Sequence, residues 1–301
     1  MRVAGRTIVT FWAMQKVNEF PTLRAQRNPL RIVRYVENGL KHTLHPMKLV
    51  YKTYGTGDPV IIMHGLFGSG DNWRTIARMM EPQYESIVVD MRNHGRSPHD
   101  PEMNFKVMTE DVLELMSDLN LEKASLLGHS MGGKVAMQFA LRYPDKVDKL
   151  IVVDIAPKYY PPHHEKVIEA IESIAPEKLS DRSEAEDAFA RFLGNDQSTI
   201  QFLMKNLSRL PDGGFEWKPN MPVIIDAYYH LMEDVMPSKP FTGPALFVRG
   251  EKSRYILDDD IPRIKELFPN SSLVTIPGAG HWIHADAPEP FTKAILSFLN
   301  A

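Results

Sequence analysis

The feature that most constrains this chain is a G-x-S-x-G motif at residues 128–132, which lies between a predicted strand and a predicted helix. The strand covers residues 124–127 and the helix residues 131–142. A turn this tight needs small residues on either side and holds its central residue in a strained conformation. In this context the motif is typical of a nucleophile presented at the carboxyl edge of a sheet. We therefore predict that Ser130 is a nucleophile.

Short strand-like segments alternate with helical ones along most of the chain. Such alternation is typical of an α/β fold, a mostly parallel sheet with helices on both faces. We predict strands at residues 48–53, 60–63, 86–90, 124–127, 150–154, 245–249 and 272–276. We predict helices at residues 71–80 (with Asp71 or Asn72 as N-cap), 108–119, 131–142, 259–267 and 289–299.

Residues 158–240 interrupt this alternation. They contain no convincing strand, and four helices are predicted there, at residues 165–174, 183–193, 199–207 and 222–232. A helical insertion between two strands of the sheet is where a lid over an active site lies. We therefore predict an α/β core at residues 47–157 and 241–301, covered by a helical cap.

A serine hydroxyl needs a general base, which in this motif's usual setting is a histidine late in the chain. His281 lies in the glycine-containing loop P-G-A-G-H-W that follows the last predicted strand. His284 falls at the start of a helical turn, and the other histidines after Ser130 lie in the insertion. We therefore predict that His281 is the base.

Two backbone N–H groups are expected to stabilise the oxyanion that forms when the serine attacks. One belongs to Met131, which follows the nucleophile, and the other to Leu66 in the loop H-G-L-F-G after the first central strand. His64 at that strand end is expected to hold the loop in shape, and Phe67 to line the acyl pocket. The residues expected to contact substrate are Phe67, His129 and Trp282.

The residues alone offer two candidates for the acid that would orient His281. The usual acid follows the penultimate strand, but that position is occupied by Ser253 in the loop G-E-K-S-R. Glu251 is one substitute, since residues 258–260 lie too far into the next helix. Asp154 is the other, because it ends the preceding predicted strand and faces the same sheet edge. The residues leave both open.

From Met47 onward the chain resembles the YbfF-like esterases of the α/β-hydrolase superfamily, which has bacterial and mitochondrial members. The resemblance rests on the segments HGLFGSGDNW, VVDMRNHGRSPH, GHSMGGKVAM, VVDIAP and GAGHWIHADAPEPF. It implies an α/β-hydrolase fold and a triad in which Asp154 is the acid. It also implies hydrolysis of short-acyl esters or thioesters. The chain departs from the family's GGNS stretch, since Glu251 and Lys252 stand at its second and third positions.

Composition excludes several other classes. The chain has no cysteine, so disulfides, thiolate metal sites and cysteine nucleophiles are ruled out. Its net charge of −3 argues against a nucleic-acid partner. The sequence contains no run of eighteen apolar residues, so no membrane span is predicted. We expect no metal and no organic cofactor. The expected partner is a small-molecule ester or thioester, and the expected assembly is a monomer or homodimer.

Residues 1–46 differ from the rest of the chain. They hold eight Arg or Lys residues and two acidic ones, a net charge of about +6, which leaves about −9 for the remainder. An Arg-rich, acid-poor segment suits a mitochondrial presequence, but it lacks serine, and no secretory signal pattern is present. We favour an extension outside the core, with Met47 as an alternative start, and a cytoplasmic location with mitochondria as the alternative.

Other activities remain open on the same residues. An acyltransferase or a C–C bond hydrolase uses the same triad, and a non-catalytic, chaperone-like protein can retain the fold. Epoxide hydrolases and haloalkane dehalogenases need a carboxylate nucleophile, which Ser130 argues against.

Overall fold

The computed structural model describes residues 47–301 apart from residues 212, 237 and 238. The predictions made for residues 1–46, as a separate extension or a targeting segment, therefore lie outside the described residues.

A seven-stranded sheet with the order β1-β3-β2-β4-β5-β8-β9 forms the centre of the fold. Only the edge strand β1 is antiparallel to its neighbour, and the other pairs are parallel. The predicted, mostly parallel sheet is confirmed. The strands of the described residues are β1 (Tyr51–Tyr54), β2 (Asp58–Met63), β3 (Tyr84–Val89), β4 (Ala124–His129), β5 (Val147–Val153), β6 (Leu207–Arg209), β7 (Phe215–Trp217), β8 (Ala245–Gly250) and β9 (Ser271–Ile276).

Helices cover both faces of this sheet. Within the described ranges, no helix has the length and apolarity needed to cross a bilayer. The helices are α1 (Arg74–Met80), α2 (Phe105–Asp118), α3 (Met131–Arg142), α4 (Glu165–Glu172), α5 (Arg182–Leu193), α6 (Gln197–Met204), α7 (Met221–Asp226), α8 (Ile261–Leu267), α9 (Ile283–Asp286) and α10 (Pro288–Leu299).

Strand β2 shows why three layers form. Successive side chains of a strand point to opposite faces of the sheet. Ile61 and Met63 belong to the apolar cluster that includes residues of α2, α3 and α8. Val60 and Ile62 belong to the second cluster, with residues of α1 and α10. Because both faces of the strand are buried, its sequence is a continuous apolar run, as is usual for a central parallel strand.

The insertion between β5 and β8 differs from its prediction by one added strand pair and by the ends of two of its helices. It contains α4 to α7, but also the short antiparallel pair β6–β7, which the sequence reasoning missed. The helix predicted at residues 199–207 stops at Met204, and Leu207 instead pairs with Trp217. Strands of three residues are too short to show a period of two, so no alternation marked them. The helix predicted at residues 222–232 also ends early, at Asp226, and a separate 3₁₀ turn follows at His230–Met232.

The predicted N-cap of α1 is wrong. A 3₁₀ helix at Gly70–Trp73 precedes α1, and Ser69 is its N-cap. The Asp71 carboxylate instead accepts hydrogen bonds from the side chains of Lys52 and Arg96.

Candidate active site

Ser130 lies on a strained turn between β4 and α3, with φ 52° and ψ −114°. The flanking glycines are required by close backbone contacts. A Cβ on Gly128 would lie 2.1 Å from the carbonyl oxygen of Gly132. A Cβ on Gly132 would lie 2.5 Å from the carbonyl oxygen of Met63. The G-x-S-x-G spacing is therefore a packing requirement, and it holds Ser130 at the carboxyl edge of the sheet.

We expect Gly132→Ala to lower the free energy of unfolding by about 3 kcal/mol, because the added methyl group meets backbone that cannot move aside. Chemical denaturation measures this change. Gly280→Ala is the control, since its Cβ would lie 3.2 Å from the end of the Asp286 side chain, a contact that a shift of a few tenths of an ångström relieves. Equal losses in the two variants would contradict the packing argument.

Asp154 and His281 meet at the same edge. Asp154 follows β5 with φ 51° and is fully buried, and its Oδ2 lies 2.7 Å from Nδ1 of His281. The Gly250 N–H donates to Oδ1 at 3.1 Å, and the Ser253 hydroxyl donates to Oδ2. Ser253 thus stands where the sequence pattern expected an acid, and its hydroxyl donates a hydrogen bond to the Asp154 carboxylate.

The electrostatics of this pair follow from burial. Burial raises the pKa of Asp154 above its ordinary value, and the hydrogen bonds from Ser253 and Gly250 offset only part of that rise. Burial lowers the pKa of His281 below its usual range, so its imidazole is neutral at neutral pH. A neutral imidazole whose Nδ1 faces a carboxylate leaves Nε2 free to accept a proton.

Glu251, the alternative acid, lies elsewhere. Its Oε2 accepts a hydrogen bond of 2.7 Å from the Gly278 N–H. Asp286 accepts one of 2.8 Å from the Gly280 N–H. Both carboxylates therefore hold the glycine-containing loop that carries His281.

Two aromatic side chains further fix His281. The Tyr255 ring stacks on its imidazole at 3.8 Å between centroids with 17° between planes. His129 is buried, and its Nε2 lies 2.9 Å from the carbonyl oxygen of His281, so Nε2–H donates to that oxygen. Sequence reasoning missed Tyr255, whose only signal was its place in the loop after β8. Ser130 and His281 form no hydrogen bond within the described part of the chain, a contact that in unliganded enzymes often tightens only with substrate.

The loop after β2 holds the Leu66 N–H group in a position where no described residue accepts a hydrogen bond from it. The carbonyl oxygen of Gly65 accepts hydrogen bonds from His64 Nδ1–H at 2.8 Å and from the Gly68 N–H at 2.9 Å. In a planar trans peptide the next N–H, that of Leu66, points the opposite way. His64 Nε2 also accepts from the Met91 N–H at 3.0 Å. These contacts confirm that His64 holds the loop in shape. Among the described residues, the Leu66 N–H has no hydrogen-bond partner.

The backbone of Phe67 is held by hydrogen bonds to the core and to the insertion. It has φ 58°, and its N–H donates to His94 Nε2 at 3.3 Å. Its carbonyl oxygen accepts 2.8 Å from Asn206 Nδ2–H, which belongs to the insertion. His94 and Asn206 were missed by sequence reasoning, because neither lies near the loop in sequence. The Met131 N–H, like that of Leu66, has no partner among the described residues.

A cavity of about 460 Å³ opens above these groups. Ser130 and His281 both line it, so the predicted nucleophile and base face one space. The three residues predicted to contact substrate, Phe67, His129 and Trp282, line it as well. The insertion supplies the opposite wall, on which the Phe202 ring packs against Trp282 at 5.2 Å.

Four buried histidines around the site predict acid lability. Burial lowers the pKa of His64 to about 4 and of His94 to about 3, and holds the pKa values of His129 and His284 well below the ordinary one. Below about pH 6.5 these histidines bind protons in the unfolded chain but stay neutral in the folded state. Stability is therefore fully present above that pH and is lost as the pH falls, by about 1.4 kcal/mol per pH unit for each withheld proton. We expect Tm to drop steeply between pH 6.5 and 5, and an unchanged Tm would contradict this.

Comparison with known proteins agrees with this geometry. The family model described as alpha/beta hydrolase fold matches residues 58–288. This chain belongs to the α/β-hydrolase family. It is 37% identical to the esterase YbfF of Escherichia coli, covering 80% of this chain and 93% of that protein. It is 39% identical to the sn-1-specific diacylglycerol lipase ABHD11 of Danio rerio, covering 86% of this chain and 84% of that protein.

A solved structure, a marine microorganism esterase, superposes with a TM-score of 0.82 at 45% identity and covers 84% of this chain and 99% of that one. The resemblance to YbfF-like esterases is therefore confirmed, and this α/β-hydrolase is an enzyme of the carboxylesterase type.

Proposed function

We propose that this α/β-hydrolase cleaves short-acyl carboxylic esters or thioesters through an acyl-enzyme on Ser130. The observation that carries the proposal is the 2.7 Å contact between Asp154 Oδ2 and His281 Nδ1, at the edge where Ser130 lines the same cavity as His281. The names of the relatives, an esterase and a diacylglycerol lipase, support carboxylic esters as the substrate class.

In the proposed cycle, His281 Nε2 takes the proton of Ser130 as Oγ attacks the ester carbonyl. The N–H groups of Leu66 and Met131 stabilise the oxyanion. This role is supported by the lack of a hydrogen-bond partner for either group among the described residues. Asp154 orients the imidazole and stabilises its protonated form. The tetrahedral intermediate collapses and His281 delivers the proton to the departing alcohol or thiol. Water then attacks the acyl-enzyme, again with His281 as base, and the carboxylic acid leaves.

A fluorophosphonate probe tests this proposal. The wild-type protein is expected to be labelled at neutral pH on Ser130, as located by mass spectrometry, and to hydrolyse short-chain p-nitrophenyl esters. A protein that is neither labelled nor active would instead support a non-catalytic role on this fold. Acyl transfer is distinguished in the same assay by adding an alcohol and measuring the new ester.

We also propose a cytoplasmic location, because residues 1–46 lack the serines in which presequences are rich. A fluorescent protein fused behind residues 1–46 is expected to stay diffuse in a yeast cell. Accumulation of the fusion in mitochondria would establish the alternative.

A further inference from the structure

A second, much smaller cavity lies beside Ser130. It measures about 20 Å³, against about 460 Å³ for the large one. Ser130 and Leu66 line both cavities, so the two spaces meet at the proposed nucleophile and oxyanion donor. His281 lines only the large cavity, while Met131 lines only the small one.

This difference in lining indicates which cavity receives the acyl half of an ester and which receives the alcohol half. The departing alcohol or thiol must receive its proton from His281, so it leaves on the side that His281 lines. The other substituent of the carbonyl carbon, the acyl chain, then points away from His281. Resting on the proposed function, we infer that the small cavity holds the acyl chain and that the large cavity holds the alcohol or thiol part. Phe67, expected from the sequence to line the acyl pocket, lines the large cavity and so lies on the alcohol side instead.

The small cavity has room for about one methyl group, since a single water needs about 10–15 Å³ by the same measure. Leu231 and Met232 from the insertion form part of its wall, with Ile155 and Tyr160 from the segment after β5. The side chains of all four are buried. The cavity therefore accepts an acetyl group, and a propionyl group at most.

Lys134 keeps this wall from moving outward. It lies on α3 with 1% of its surface exposed, and its Nζ donates to the carbonyl oxygen of Met232 at 3.2 Å and to that of Glu233. The Tyr160 N–H donates to the same Met232 oxygen at 3.0 Å. Nζ also lies 5.1 Å from the Tyr160 ring centroid. The wall is thus tied to the core by buried hydrogen bonds, which resist the expansion that a longer acyl chain requires.

The large cavity is much wider, and its walls are mixed. From the insertion it is lined by the apolar Val167, Phe202 and Leu203 and by the polar His163, His164, Ser198 and Thr199. Trp282 packs against Phe202 from the loop of His281. An extended group fits there, with its apolar part against Phe202 and Trp282. The substrate class is therefore an acetate or propionate ester, or thioester, of a bulky apolar alcohol or thiol.

Two isomeric esters test the assignment, because they carry the same atoms on opposite sides of the carbonyl. Hexyl acetate places its chain in the alcohol, and methyl heptanoate places it in the acyl group. With acid release followed in a pH-stat, kcat/KM is expected to be at least tenfold higher for hexyl acetate. Equal rates or a preference for methyl heptanoate would overturn the assignment while leaving the proposed hydrolase intact. Hydrolysis of neither ester, with no fluorophosphonate labelling, would overturn the proposed function itself.

Leu231→Ala tests the wall directly. It is expected to raise the ratio of kcat/KM for p-nitrophenyl butanoate to that for p-nitrophenyl acetate at least fivefold. The matched control is Phe202→Ala, which enlarges the other cavity and is expected to leave this ratio unchanged while altering the preference for the alcohol. Melting curves of both variants establish that they are folded. A folded Leu231→Ala protein with the wild-type ratio would show that the acyl chain lies elsewhere.

Discussion

Ser130→Ala is expected to lower kcat/KM for any ester by about 10⁴-fold or more and to abolish fluorophosphonate labelling. Without the hydroxyl there is no acyl-enzyme, and only the oxyanion donors and binding remain. The fold is expected to be unaffected, because the Ser130 side chain makes no hydrogen bond within the described residues and its left-handed φ of 52° is as accessible to alanine as to serine. Steady-state kinetics and a melting curve measure the two effects separately.

The outcome distinguishes chemistry from stability. A variant with unchanged Tm and lost activity assigns the loss to the hydroxyl. Labelling that persists in Ser130→Ala would place the nucleophile at another residue, and the proposed cycle would be wrong.

Asp154→Asn is expected to lower kcat by about 10³-fold to 10⁴-fold. The amide is uncharged and no longer stabilises the imidazolium of His281 during proton transfer. It also presents N–H groups where the imidazole Nδ1–H, the Ser253 hydroxyl and the Gly250 N–H now donate to carboxylate oxygens. The imidazole is therefore expected to take the tautomer in which Nε2 carries the proton, which cannot act as the base.

Glu251→Gln is the matched control for this variant. Its side chain accepts a hydrogen bond from the Gly278 N–H and does not contact the His281 imidazole. Glutamine keeps an acceptor oxygen, so kcat is expected to stay within about threefold of wild type. A large loss in Glu251→Gln combined with a small one in Asp154→Asn would move the acid to the later loop.

Local patterns were sufficient for the sheet and for the proposed nucleophile. The apolar runs of the central strands appear in the sequence because both of their faces are buried. The glycines at 128 and 132 appear there because backbone lies within 3 Å of where their Cβ atoms would be. The strand pair β6–β7 was missed because its stability comes from pairing and packing within the insertion, and three residues carry too little local pattern.

The sequence by itself determined the fold class, the strand–turn–helix that presents Ser130, and the loop that carries His281, because each depends on neighbouring residues. The residues alone left Asp154 and Glu251 both open as the acid, and the family resemblance implied Asp154. Only the tertiary structure shows the contact of Asp154 with His281, since the two carboxylates lie 97 positions apart and each follows a strand that ends at the same sheet edge. It alone also showed that Lys134 ties the insertion to the core beside Ser130. Contacts between distant segments depend on how helices and strands pack, and no local pattern records them.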